Sequence, residues 1–102
     1  MKIKAKLNGD KVQVKLLAKH PMHTGRTKDP VTNELIPANF IKTLTCHVDN
    51  NKVFQGNFGT GVSKDPFLKF TLINRKAGDI LKFEWVDLKG ATEVKEVTLW
   101  NP

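Results

Sequence analysis

The chain has no tyrosine, one serine (Ser63) and one cysteine (Cys46). A single cysteine rules out an internal disulfide, so cysteine usage says nothing of the redox compartment. On the alternation of its strand Cys46 points inward with Leu44 and Val48, and burial argues against a reactive thiol. Ser63 stands alone. No run approaches the roughly 18 apolar residues of a membrane-spanning helix. The opening MKIKAKLNGD alternates lysine with apolar residues and has no apolar core of a secretory signal, so by itself it suggests a cytoplasmic protein. No stretch carries a helical period, so no glycine-rich phosphate loop precedes a helix. Asp29 and Glu34 share one long loop, but nothing fixes their separation for acid–base work. No catalytic set is evident.

What is present suits one folded domain spanning residues 1–102. Apolar residues make up 39% of the chain, with six Phe and two Trp, enough for a core without staples. The formal charge is +7. That balance favours an anionic partner, or it keeps a β-protein soluble and guards its edges. The lysines are spread along the sequence rather than clustered, which favours the second explanation over nucleic acid.

Period-2 alternation dominates. Ile3, Ala5 and Leu7 face away from Lys2, Lys4 and Lys6, and Asn8-Gly9-Asp10 turns the chain into Val12–Lys19. Further strands are predicted at Phe40–Val48, Lys52–Phe58, Phe67–Ile73, Ile80–Asp87 and Thr92–Trp100, separated by turn-forming residues. Gly56, Gly59 and Gly61 mark the fourth strand as an edge or a bulge. About seven short strands and no helix predict an all-β, immunoglobulin-like antiparallel β-sandwich, with a barrel of the oligonucleotide-binding type as the structural rival.

Between the second and third strands lies His20 to Pro37, HPMHTGRTKDPVTNELIP. It is longer than the ~12–15 residues that a compact domain leaves without structure or function. Pro21, Pro30 and Pro37 are expected to forbid regular structure through it, and Gly25 and Lys28-Asp29-Pro30 suggest turns. Leu17, Ile41, Phe67, Ile73, Ile80 and Val86 fall opposite the expected core faces. Exposed together, they would form a patch that calls for a protein partner.

Two chemical alternatives need weighing. His20, Met22 and His23 on a sandwich raise the idea of copper, but no tight loop gathers two His, a Cys and a Met, and His47 points away from Cys46. Nucleic acid binding would need exposed aromatics among the basic residues, for which only Phe54, Phe58 and Phe67 are candidates. Arg26 and Lys28, between Gly25 and Asp29, could grip a carboxylate on a partner.

Four segments carry a resemblance: HPMHTGRTKD (20–29), ELIPANFIKTLTC (34–46), VSKDPFLKF (62–70) and GDILKFEWVDLKG (78–90). Together they resemble the SoxZ family, over about Lys2 to Leu99. The resemblance implies an immunoglobulin-like sandwich with no catalytic role and no cofactor. It implies a heterodimer with a SoxY-like carrier, which bears sulfur intermediates on a cysteine of a glycine-rich arm during thiosulfate oxidation. The ending TLWNP has no such arm, and Cys46 does not match the carrier cysteine. It also implies transient contact with other Sox enzymes, no nucleic acid, no membrane, and a periplasmic location reached by export with the partner. His23 and the lysines at 2, 4 and 6 depart from the family pattern. The residues expected to contact partners are His20, Pro21, Met22, Gly25, Arg26, Lys28, Asp29, Pro66 and Phe67.

Overall fold

A computed structural model describes residues 1–59 and 61–99. Its strands are β1 (Lys2–Asn8), β2 (Lys11–Leu17), β3 (Ile41–Val48), β4 (Asn51–Asn57), β5 (Phe67–Leu72), β6 (Ile80–Asp87) and β7 (Thr92–Thr98). They form two antiparallel sheets, β1–β2–β5 and β4–β3–β6–β7, as the alternation predicts. The seventh strand ends at Thr98, and its expected last residue, Trp100, lies outside the described residues.

The turns follow from residue chemistry. Gly9, at φ +66°, closes the β1–β2 hairpin, so these two strands pair directly. Asp49 and Asn50 both take positive φ, the left-handed pair that suits a two-residue hairpin between β3 and β4. β4 is an edge strand, and its register slips against Cys46 and His47.

The core lies between the sheets. Val12, Val14 and Leu16 from one sheet meet Leu44, Cys46, Leu81 and Phe83 from the other, all fully buried or nearly so. Each large side chain removed from water in this way contributes about 2–3 kcal/mol. On one flank Phe54 stacks on Phe70, with ring centres 4.0 Å apart, and so closes β4 against β5. Gly56 makes room there: a Cβ on it would press on Phe58 at 3.3 Å, with Phe54 in ordinary contact at 3.6 Å. On the other flank Glu93 accepts hydrogen bonds from the Met1 amino group (2.7 Å) and from Trp85 Nε1 (3.0 Å), tying β1 to β7 and β6.

The apolar residues expected opposite the core divide. Phe67, Ile73 and Ile80 are exposed, and Leu17 and Val86 are half-buried. Ile41 is a correction: it is wholly buried. The register against β6 shifts between Ile41 and Thr43, and this irregularity reverses the facing of the residue before it.

The molecule measures 52 × 23 × 17 Å, with a radius of gyration of 15.9 Å against about 13 Å for a compact chain of this length. Strands of seven or eight residues span only about 25 Å. The longest connection is the segment between β2 and β3, residues 18–40.

Candidate partner-binding site

That segment is an arm. His23 and Asn39 exchange two backbone hydrogen bonds of 2.8 and 2.9 Å. Further out, Ile36 N–H donates to the Thr27 carbonyl and Asp29 N–H to the Glu34 carbonyl, each at 2.8 Å. The stretch expected to lack regular structure is therefore a distorted hairpin. Its prolines fit because none occupies a position whose N–H is needed: Ile36 and Asn39 donate across the arm, and Pro37 lies between them. Gly25, at φ +86°, lets the two runs cross closely, and a Cβ on it would meet Ala38 Cβ at 3.2 Å.

Asp29 shapes the tip. Its Oδ1 accepts from Val31 N–H (2.7 Å) and Thr32 N–H (3.3 Å), and its carbonyl accepts from Asn33 N–H (2.8 Å). This tight turn leaves Val31 90% exposed and Leu35 60% exposed at the outer end. Arg26 and Lys28 flank them, exposed, and neither is in an ion pair among the described residues.

The base of the arm is anchored on Asp87, a buried carboxylate at the end of β6. Its Oδ1 accepts from Lys89 N–H (3.0 Å) and Ala91 N–H (2.8 Å), closing the β6–β7 turn. Its Oδ2 meets His20 Nε2 at 3.0 Å and accepts from Asn39 Nδ2 at 3.3 Å, so both ends of the arm converge on one group. Burial pushes this carboxyl up, but the bonds from His20, Ala91, Asn39 and Lys89 outweigh it and hold it below the usual carboxylate range.

His20 is held as firmly. Met22 N–H donates to its Nδ1 at 3.0 Å, so Nδ1 is the acceptor and the hydrogen sits on Nε2, facing Asp87. Trp85 meets the ring edge-on at 5.3 Å. A His–Asp pair is a familiar base in hydrolysis, but here both ring nitrogens are engaged and the ring is 4% exposed. It is a strut. Met22 is buried and its sulfur accepts from Ile41 N–H at 3.4 Å. The side chains of His20 and Met22 are thus tied into the fold, while His23 is held through its backbone, so the three do not form a ready copper site.

Of the nine residues expected to touch partners, His20, Met22 and Pro66 are buried within the chain and support the arm instead. Pro66 accepts from Ala18 N–H at 3.0 Å, and neighbouring Asp65 N–H donates to the His20 carbonyl. Pro21, Arg26, Lys28 and Phe67 are exposed, while Gly25 and Asp29 are part-exposed and shape the arm. Phe67 does not join the arm; it lies on the outer face of the three-stranded sheet, beside Leu17. Asp87, Asn39, Val31 and Leu35 belong to the site without being among the residues expected there. An aspartate opening the Asp87-Leu88-Lys89-Gly90 turn is a capping signal, and Val31 is an apolar residue in a polar loop.

The family described as "Sulphur oxidation protein SoxZ" matches residues 1–98. The chain belongs to the SoxZ family. That places it in the Sox sulfur oxidation system. No curated protein matches the chain. The SoxZ match covers every strand and the whole arm, so both are parts of the family's unit.

Two predictions concern this framework. The Cys46 thiol is fully buried, and burial pushes its pKa to about 11. Labelling by a disulfide reagent near pH 8 is expected to run at less than about a tenth of the unfolded chain's rate. Release of the chromophore measures this, and rates within about two-fold would mean that β3 opens readily. The second concerns acid. Glu93 is held below the usual range by the bond from the Met1 amino group first and by Trp85 as well, against its desolvation. A carboxyl with a lowered folded pKa stabilises the fold above its unfolded value and loses that contribution as pH falls through the folded one. Melting temperature is therefore expected to hold between about pH 5 and 8 and to fall below about pH 4, less steeply in Asp87→Asn.

Proposed function

We propose that this chain is the non-catalytic subunit of a SoxYZ-type carrier complex. It binds a SoxY-like subunit and supports presentation of that subunit's cysteine-bound sulfur intermediates to sulfur-oxidising enzymes. The family match over residues 1–98 carries this reading. Two features of the fold support it. The arm ends in exposed Val31 and Leu35 on a rigid base, a form suited to seating in a partner's groove. The chain's own thiol is buried and hard to ionise, which leaves the sulfur chemistry to the partner's cysteine. Arg26 and Lys28 add cations beside the apolar tip, suited to carboxylates at the rim of the same contact. The location that goes with this role is the periplasm, reached by export with the partner; fractionation of cells expressing the pair, with and without the partner's export signal, tests it.

The decisive experiment is co-expression with a SoxY-like subunit, followed by size-exclusion chromatography with light scattering at micromolar concentration. One peak at the heterodimer mass is expected. Two separate monomer peaks would refute the reading.

A further inference from the structure

Lysines that are scattered in the sequence converge in space. On the outer face of β1–β2–β5 the cross-strand register sets Lys4 opposite Lys15 and Lys15 opposite Lys69. Lys2, Lys6 and Lys11 share that face, and all six are exposed. The three strands contain no Asp or Glu. The eleven other cations of the chain nearly balance its ten carboxylates, so almost the whole +7 excess sits on one face. The outer face of the second sheet is mixed by contrast, with Lys82 opposite Glu96 and Glu84 on the same strand.

Like charges directly opposite one another destabilise a sheet, and solubility needs no such concentration. One end of the face is different. The row Lys2–Leu17–Phe67 borders a shallow hollow of about 240 Å³, walled by Lys2, Lys4, Lys15, Leu17 and Phe67. Its lining is almost wholly apolar, so the lysines contribute their stems beside Leu17 and Phe67. The hollow lies where β2 leads into the base of the arm.

We propose that this face docks an acidic protein segment that places an apolar side chain in the hollow, and that the partner is not the subunit that forms the heterodimer. The charge dictates the acidic chemistry. The hollow asks for an apolar side chain among the carboxylates, which a protein segment supplies and a phosphate backbone does not. Among the described residues of these three strands Phe67 is the only aromatic on the face, too few for a stacking platform. Lysine is depleted from the cores of stable interfaces, so a surface this rich in it suits rapid, electrostatically steered encounters.

The test uses the full chain and NMR amide shifts. The probes are the peptides Glu-Glu-Leu-Glu-Glu and Glu-Glu-Gly-Glu-Glu, and a mixed-sequence DNA duplex of about 20 base pairs. The leucine peptide is expected to shift Lys2, Lys4, Lys15, Leu17 and Phe67, and to bind about 5-fold tighter than the glycine peptide. Its affinity should fall at least about 10-fold between roughly 20 and 200 mM salt. K4E/K15E/K69E is expected to weaken it about 10-fold or more, and the matched control K52E/K76E/K89E less than about 2-fold. Equal losses in the two triple variants would overturn the proposal, as would tighter binding of the duplex through the same residues. K4E/K15E/K69E should still form the heterodimer at full yield. Loss of that complex would make the lysine face the carrier interface and overturn the proposal, while the heterodimer reading would stand.

Discussion

Asp87→Ala is expected to cost about 3–5 kcal/mol, the usual result of removing one member of a buried, hydrogen-bonded pair. For a domain of this size that is a fall in melting temperature of roughly 15–25 °C. The reason is local and countable. The substitution leaves four donors without their acceptor: His20 Nε2, Asn39 Nδ2 and the backbone N–H groups of Lys89 and Ala91. Asp87→Asn separates the contributions. Its amide oxygen can still accept from Lys89 and Ala91, but its NH₂ would face the hydrogen on His20 Nε2. His20 cannot relieve the clash by moving that hydrogen, because Nδ1 already accepts from Met22 N–H. The asparagine variant should therefore cost about 1–3 kcal/mol. Its loss should concentrate in the arm, where hydrogen exchange at Met22, His23 and Asn39 reads it directly. An alanine variant within about 1 kcal/mol of the parent would mean that water replaces the carboxylate at no great cost.

The second large effect concerns binding rather than folding. Val31→Asp combined with Leu35→Asp is expected to leave the melting temperature within about 2 °C, since both side chains are already exposed. Affinity for a SoxY-like subunit should fall by about 100-fold or more, because each change sets a desolvated charge where an apolar anchor would seat. Titration calorimetry or surface plasmon resonance measures it. Arg26→Ala and Lys28→Ala should act in the same direction but more weakly, through rim charges. Unchanged affinity in the double variant would move the contact elsewhere, first to the outer face of the second sheet, where Ile80 and Val94 are about half exposed.

The strands were readable because each alternates cleanly: Lys2 to Leu7, Val12 to Leu16 and Leu81 to Trp85 show which residues face inward. Ile41 defeats that rule because a register shift is a backbone event with no composition of its own. The arm was hidden for a related reason. Its pairing uses scattered backbone groups of Thr27, Asp29, Glu34 and Ile36, and no side-chain period accompanies them. The convergence on Asp87 joins residues 67 apart in sequence, and only the tertiary fold brings such a pair together. The lysine face was half visible. Lys2, Lys4 and Lys6 announce one wet face, but nothing in the sequence says that β5 adds Lys69 to the same surface.

The flank where Glu93 joins Met1 and Trp85 bears on how the protein should be handled. The amino group there is also the attachment point of any N-terminal fusion. Acylating it turns the cation 2.7 Å from Glu93 into a neutral amide, so the charge that faces that carboxylate is lost and one bulky substituent is added. A purification tag placed ahead of Met1 would thus loosen the seam between the sheets beside Trp85, and the indole's emission spectrum would register the change. Measurements of intrinsic stability are best made with that end free.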